Sequence, residues 1–428
     1  MNRRALLVAV VCGTLLPQAA AAGQADPLEG LTVREIRVTG LRNLSPESVT
    51  RHLATRPGEP FHRARLELDE RRLDELRLFS AVAIRPELDR EAVILNVAVT
   101  ETLRLLPTIM IRVTDENGVS AGAGARAINL FGRGTQSGIG LLFGGETSVA
   151  ATVDKTTITP GTWVSHAGFS YSSRPNAIYD FDERATSADV RLGRNFNHGL
   201  RAGGLVSLLS IDTGSSGASL SDSGTDVVPT FGGFVTFDTL DSSTNPRHGT
   251  WAEVQIERLA GDASSWTTIL DGRRFQRLSD RHGVGLFSLA TFQTGEVGVD
   301  LPEYLQFALG GANTVRGWDL GSRNGRNQFI GTLEYTYVAW PVTPFSVFGV
   351  NAYAGLQVAG FADVGLAWTD RTDWRPADAI DGYGVGVRVL VPFVDLIRID
   401  VAWGEPGKGA TAYFGISLKA ARQRQRVR

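Results

Sequence analysis

From about residue 108 to residue 419 the sequence holds no convincing amphipathic helix, only short segments in which apolar and polar side chains alternate. A period of two is the strand period, because successive side chains leave a pleated backbone on opposite faces. "GTWAEVQIERL" (249 to 259) sets Ala252, Val254 and Ile256 against Glu253, Gln255 and Glu257. "DLIRIDVAW" (395 to 403) sets Ile397, Ile399, Val401 and Trp403 against Arg398 and Asp400, and "YGVGVRVLV" (383 to 391) sets Val385, Val387 and Val389 against Gly384, Gly386 and Arg388. About sixteen such segments run from 109–114 to 410–419.

Alternation alone also suits an antiparallel sandwich with one solvated face. The connections argue otherwise. Every second one is short ("LFGRG", "NFNHG", "SDRHG", "PFV"), while the others include the long polar stretches 212–227, 295–326 and 369–379. Short turns on one rim, long loops on the other, an even strand number and about ten residues per strand suit a transmembrane β-barrel, which pairs all its backbone polar groups in a closed sheet. The predicted fold is therefore an all-β transmembrane barrel of about 16 antiparallel strands over residues 104–419. Its Val, Ile, Leu and Trp faces meet lipid and its charged faces a wet lumen, so arginine should be tolerated at Gln255 but not at Val254 or Ile399.

The N-terminus supplies a route to that membrane. Arg3 and Arg4, the apolar run Ala5 to Leu16 and the small residues through Ala22 read as a secretory signal over 1–22. The apolar run is too short to span a bilayer. The only cysteine, Cys12, lies inside it, so no disulfide or thiolate chemistry is expected in the mature chain. Signal and strand pattern together point to the outer membrane of a Gram-negative cell, with outer-membrane lipid as the surrounding medium. Charge is balanced, 43 Lys+Arg against 45 Asp+Glu, which gives no reason to expect nucleic acid.

Residues 30–102 follow a different period. "TVREIRV" (32 to 38) alternates as a strand; "SPESVTRHLA" (45 to 54) starts as a helix, with Ser45 as N-cap and Pro46 at its first position. "ARLELDERRLDELRLF" (64 to 79) is a charged amphipathic helix, and "AVAIRPEL" (81 to 88) and "AVILNVAVT" (92 to 100) are strands. Strand, helix, helix, strand, strand makes a small α+β module, and its sheet has an edge to which an extended peptide could add.

Enzymatic chemistry finds little support. The histidines, at 52, 62, 166, 198, 248 and 282, show no HExxH spacing; no Gly-x-Ser-x-Gly elbow or phosphate-binding loop occurs. No catalytic, metal or cofactor-binding residue is assigned.

Five stretches stand out on this pattern: "TVRGW" in the loop after the eleventh barrel segment, "NLFGRG" (129 to 134), "DTLDSSTNPRHGT" (238 to 250), "FADVGLAW" (361 to 368) and "YGVGVRVLVPFVDLIRIDVAWGEP" (383 to 406). Through them the chain resembles the BamA/TamA superfamily of outer-membrane assembly factors, with a single POTRA module and a surface-antigen type barrel. The resemblance implies that the loop folds back into the lumen and that its arginine, here Arg316, contacts acidic residues on the inner wall. Parity nominates Glu334 and Asp363 as those partners. Gly317 then allows close backbone approach, Trp318 packs where the loop turns, and Val315 completes the motif.

The resemblance also implies a weakly paired seam between the first and last strands. Ile109, Ile111 and Val113 stand on one side of it and Phe414, Gly415 and Ile416 on the other. Pro107 at the start of the first strand suits poor pairing. The implied function is insertion or translocation of client polypeptides at the outer membrane, with clients meeting the edge strand of a periplasmic POTRA module and a periplasmic partner protein possible. The alternatives are a two-partner secretion pore exporting one cognate protein, or a structural or passive barrel. The last strand ends on Leu418 and Lys419 rather than an aromatic residue, and 420–428 form a basic tail expected in the periplasm.

Overall fold

The computed structural model describes residues 26–417 apart from 43, 76–77, 102–104, 115–116, 129–134, 156–160, 177, 180, 215–216, 243–244, 348–349, 371–372 and 391–395. The expected signal over 1–22, "NLFGRG", "PFV" and the expected basic tail, with the residues from Leu418 onward, lie outside the described residues.

The N-terminal module comprises β1 (Thr32–Thr39), α1 (Glu47–Thr50), α2 (Arg63–Glu75), β2 (Phe79–Asp89) and β3 (Ala92–Glu101). The most apolar strand, β3, takes the middle of the sheet, parallel to β1 and antiparallel to β2. Val33, Leu53, Phe61, Leu66, Leu73 and Val93 bury one face in the module's own core. The helix expected over 45–54 is only a single turn, and no side chain caps it. It ends early because the backbone N–H groups of Ala54 and Thr55 donate to the buried Asp69 carboxylate on α2 instead of to helix carbonyls.

Both edges of this sheet are partly closed. Val33 exchanges backbone hydrogen bonds with residues 58–59, Val33 N–H to the Glu59 carbonyl at 2.9 Å and Gly58 N–H to the Val33 carbonyl at 2.8 Å. On β2, Ile84 N–H donates to Glu70 Oε1 at 2.9 Å, and Pro86 two residues on has no N–H to offer. The edge open to an added strand is thus shorter than the sequence pattern suggests.

The rest of the chain builds one antiparallel sheet of sixteen strands. Its first half is β4 (Leu105–Thr114), β5 (Gly118–Ile128), β6 (Thr135–Gly144), β7 (Thr147–Lys155), β8 (Trp163–Pro175), β9 (Asp182–Asn195), β10 (Leu200–Asp212) and β11 (Thr225–Asp238). β12 (Gly249–Leu259), β13 (Ser265–Arg277) and β14 (His282–Gln293) follow, then a long loop containing the short strands β15 (Phe307–Leu309) and β16 (Arg323–Gly325). β17 (Asn327–Val347), β18 (Val350–Trp368), β19 (Ile380–Leu390), β20 (Leu396–Trp403) and β21 (Thr411–Ser417) complete it. Every neighbouring pair is a hairpin except β14 with β17, which the long loop joins.

The outer face is apolar along strand after strand: Val254, Ile256, Val385, Ile399 and Trp403 are all exposed. The inner face is polar but better packed than a water-filled lumen. Gln255 is 2 % exposed, receives a hydrogen bond from Arg191 and lies beside Glu257. Arg191 in turn lies over the Phe234 ring, 3.6 Å from its centroid. Phe234 itself rests against Gly193 and Gly203, where a Cβ would come within 3.0 and 2.8 Å of the ring. Arginine at Gln255 therefore meets an existing guanidinium rather than water, which corrects the expectation of easy tolerance there. Val254→Arg and Ile399→Arg, on the lipid side, should each cost about 2 to 4 kcal/mol near the bilayer midplane. Folding yield into lipid vesicles, read as the heat-modifiable band on unboiled gels, checks this; equal yields for these variants and wild type would reverse the assignment of faces.

The sheet curls until β21 comes alongside β4, yet its hydrogen-bonded order starts at one and ends at the other, with no ladder between them among the described residues. Ile109, Ile111 and Val113 pair through their backbones with Ala123, Ala121 and Val119 of β5. Phe414, Gly415 and Ile416 pair with Ile399, Arg398 and Ile397 of β20. All six residues assigned to a seam thus lie on the two terminal strands.

Candidate functional site: a loop tip locked into the barrel wall

The loop between β14 and β17 turns inward. β15 and β16 form a small hairpin, Phe307 opposite Gly325 and Leu309 opposite Arg323, whose far end presents residues 310–322 to the inner wall of β17 to β21. The tip is closed on itself. Thr314 Oγ1 accepts from Gly310 N–H at 2.7 Å and donates to the Gly310 carbonyl at 2.6 Å, and Gly311 N–H reaches the Trp318 carbonyl at 2.7 Å. Closer to β14, Leu301, Tyr304 and Leu305 are fully buried with Ile211, Val228 and Leu259, so the loop also fills the barrel mouth there.

Arg316 is 1 % exposed and extends from the tip into a ring of charge. Its Nε and Nη2 fork onto the two oxygens of Asp363 at 2.8 and 3.0 Å, and its backbone N–H adds a third bond to the same carboxylate at 3.1 Å. Nη1 donates to Asp400 Oδ2 at 2.8 Å. The guanidinium carbon sits 3.2 Å from the centroid of the Phe361 ring. A planar cation with a rigid array of donors suits such a site, since it can bridge two carboxylates and stack on an aromatic face together.

Of the two partners parity nominated, Asp363 is in direct contact. Glu334 is 3.8 Å from Arg316 and accepts its hydrogen bond from Arg388 at 2.9 Å. Asp400 is the second direct partner. It also pairs with Arg388 and lies 3.4 Å from Arg398. Three arginines and three carboxylates therefore alternate in one buried network. Arg388, Arg398 and Asp400 all fell on the polar side of the sequence alternation; what alternation could not supply was the strand-to-strand register that brings them level with the loop tip. Thr332 completes the shell with a 2.8 Å bond to Asp363 Oδ1.

The other motif residues hold the tip in place. Val315 is fully buried with Leu309, Ile330 and Ile380, over Gly365, where a Cβ would come within 2.6 Å of it. Gly317 has φ +90°, and a Cβ there would approach the Trp403 carbonyl carbon to 2.5 Å, so both backbone conformation and space demand glycine. Trp318 Nε1 donates to the Asp381 carbonyl at 2.8 Å. On the wall, a Cβ at Gly382 would stand 1.9 Å from the Arg316 carbonyl oxygen, and one at Gly386 would stand 2.0 Å from Asp400 Oδ1. The glycine alternation of β19 is thus the bed in which loop and network lie.

Further hydrogen bonds tie the tip to the end of the sheet. Gly317 N–H donates to the hydroxyl of Tyr413, on β21, at 2.9 Å, and Arg398 of β20 donates to the Ala312 carbonyl at 3.1 Å. The tip therefore fastens together the strands on one side of the β4/β21 junction. Among the described residues no three His, Cys, Asp or Glu side chains are grouped to hold a metal ion.

A sixteen-strand membrane barrel with an inward loop latched to its wall, preceded by one small α+β module, defines a class of outer-membrane protein. Residues 129–419 match the Omp85 superfamily domain and residues 31–102 match the surface antigen variable number repeat, a POTRA module; the chain belongs to the Omp85 superfamily. Proteins of this superfamily with POTRA modules are β-barrels of the Gram-negative outer membrane that handle polypeptide clients. The fold is similar to that of BamA from Haemophilus ducreyi lacking POTRA domains 1–3, with a TM-score of 0.56 at 13% identity over 90% of this chain and 83% of that one. CdiB from Acinetobacter baumannii is similar at TM-score 0.55 and 13% identity, over 90% of this chain and 73% of that one. CdiB from Escherichia coli gives the same score and identity over 94% and 92%. No curated protein matches the chain by sequence.

Proposed function

We propose that this protein assists the insertion of other polypeptides into the outer membrane, its module in the periplasm and its β4/β21 junction opening sideways toward lipid. The observation that carries this reading is the junction itself: a sixteen-strand sheet that brings its ends together without zipping them. Terminal strands that form no ladder with each other among the described residues are a template for an incoming strand, because strand edges satisfy their N–H and C=O groups by pairing with whatever extended chain is offered. The Arg316 network fixes the loop against β18 and β20, and Tyr413 extends that hold to β21, so the C-terminal side of the junction moves as one body. Export through the lumen, the alternative as a secretion pore, requires the buried segment around Tyr304 to leave the mouth; lateral insertion does not.

The test is reconstitution. In vesicles containing the protein, a urea-denatured eight-strand outer-membrane barrel should fold faster than in empty vesicles, by tenfold or more, read by heat-modifiable gel shift. No acceleration, together with protease protection of a soluble secreted protein inside the same vesicles, would favour the secretion pore.

A further inference from the structure

Arg247, in the turn between β11 and β12, holds the neighbouring turn between β13 and β14 in shape. Its Nη1 donates to the Asp280 carbonyl at 2.6 Å and its Nη2 to the Ser279 carbonyl at 3.2 Å. The Asp280 carboxylate is paired with Arg277. Arg281, next along, is exposed and donates to the Tyr337 hydroxyl at 3.3 Å, and His282 shares a hydrogen bond with the Tyr335 hydroxyl. The His282 ring lies 5.2 Å from that of Tyr337 and 5.9 Å from that of Tyr335, centroid to centroid. Both turns lie on the rim where β4 begins, the rim that carries the N-terminal module.

This cluster stands on the outside of the barrel. Leu333 and Tyr335 of β17 are exposed on the lipid face, Tyr337 keeps their parity, and Tyr337 pairs with His282 on the last rung of the β14/β17 ladder. The cluster thus sits where the apolar wall ends, at the depth of lipid headgroups. Tyrosine alone suits any such interface. What is added here is an excess of positive charge, Arg247, Arg277 and Arg281 against Asp241 and Asp280. Farther into the membrane the wall is indented. Gly360 and Ala362 of β18 pair with Tyr335 and Leu333 on one side and with Val385 and Tyr383 of β19 on the other. Those four neighbours are exposed, while a Cβ at Gly360 would meet nothing within 4 Å. Small residues between large exposed ones make an apolar furrow one strand wide that leads away from the cluster.

We propose that this part of the wall binds an anionic phospholipid of the leaflet on the module's side, its phosphate held by Arg281 and Tyr337 and an acyl chain lying in the furrow over Gly360 and Ala362. A guanidinium has further donors in a fixed fork that matches phosphate oxygens, and the Tyr337 hydroxyl, which accepts from Arg281, keeps its own proton to donate. The surplus positive charge disfavours a headgroup that brings its own amine, and favours one that is a net anion. Because Arg247 already fixes the turn, little ordering remains to be done when the lipid arrives. The furrow is the outer side of the strands whose inner side carries Glu334 and Asp363, so the lipid would brace the wall that holds Arg316.

The probe is dioleoyl phosphatidylglycerol, titrated against the full chain in detergent and read by native mass spectrometry, with dioleoyl phosphatidylethanolamine, which has the same chains, alongside. Phosphatidylglycerol should bind the more tightly, by about tenfold, and Arg281→Gln with Tyr337→Phe should remove that preference. Arg281→Lys, which keeps the charge without the fork, should recover only part of it. Gly360→Leu fills the furrow and should weaken both lipids several-fold, since the chain is common to them. Arg281 and Tyr337 stand at the rim and Gly360 faces open space, so every variant should stay heat-modifiable on unboiled gels. Equal affinity for the two lipids in the wild-type protein, or a preference that survives Arg281→Gln with Tyr337→Phe, would overturn the proposal. Displacement of the lipid by millimolar inorganic phosphate, or unchanged affinity in Gly360→Leu, would make this a site for a free anion and overturn it equally.

Discussion

Arg316→Ala should lower the unfolding free energy of the barrel by about 3 to 5 kcal/mol, the cost of removing one member of a buried ion pair and leaving its partners uncompensated. The upper part of that range applies, because Arg316 is 1 % exposed and Asp363 and Asp400 are buried, so solvent cannot screen what remains. Two arginines would then face three carboxylates. Arg316→Lys should recover only a minor part, since an ammonium cannot take both oxygens of Asp363 and one of Asp400 while stacked on Phe361. Exchange of charge, Arg316→Glu with Asp363→Arg, should rescue poorly: the new carboxylate still faces Asp400 and Glu334. Arg316→Ala with Asp363→Asn should cost less than the sum of the single changes by about 1 kcal/mol or more, the signature of directly coupled groups. The measurements are urea unfolding midpoints in detergent, with limited proteolysis of residues 310–325 as a second readout. Additive effects and unchanged cleavage would show that the loop is not held by this pair.

Locking the junction should abolish client folding while leaving the protein itself folded. Cysteine pairs placed around Ile111 on β4 and Gly415 on β21, once crosslinked, join the two ends of a sheet that has no ladder there. The one native cysteine is Cys12, and its replacement by serine leaves no competing thiol. Crosslinking leaves the loop network and its Tyr413 contact in place, so heat-modifiability should be kept or raised. The acceleration of client folding should fall to the level of empty vesicles and return on reduction. A locked protein that works as fast as the reduced one would rule out sideways opening as the mechanism, and the vacant edges of β4 and β21 would then be structural.

Much of this architecture was legible before any coordinates. A strand reverses its facing at every residue, so Val254, Ile399 and Asp363 declare their faces in one dimension, and turn residues declare the hairpins. Parity carries no information about level along the barrel axis. Asp400 and Arg388 were visible as inward residues, but the stagger that sets them opposite the loop tip, and Glu334 one step farther away, belongs to strand pairing. The 45–54 helix failed for a related reason: a carboxylate 15 residues on, Asp69, captured the N–H group that the helix needed at Ala54. The module's edge strand looked open because sequence shows which strands form and not what lies against them.

The sequence by itself determined the period, the number of strands, the membrane-facing side and the presence of a motif arginine in a long loop, because each is a property of neighbours in the chain. Tertiary structure decided which carboxylates meet that arginine, why β19 alternates with glycine and where the described ends of the sheet meet without a ladder. Those depend on register and on the inward fold of a loop whose contacts lie up to 96 residues away, from Gly317 to Tyr413, and such distances leave no local pattern to read.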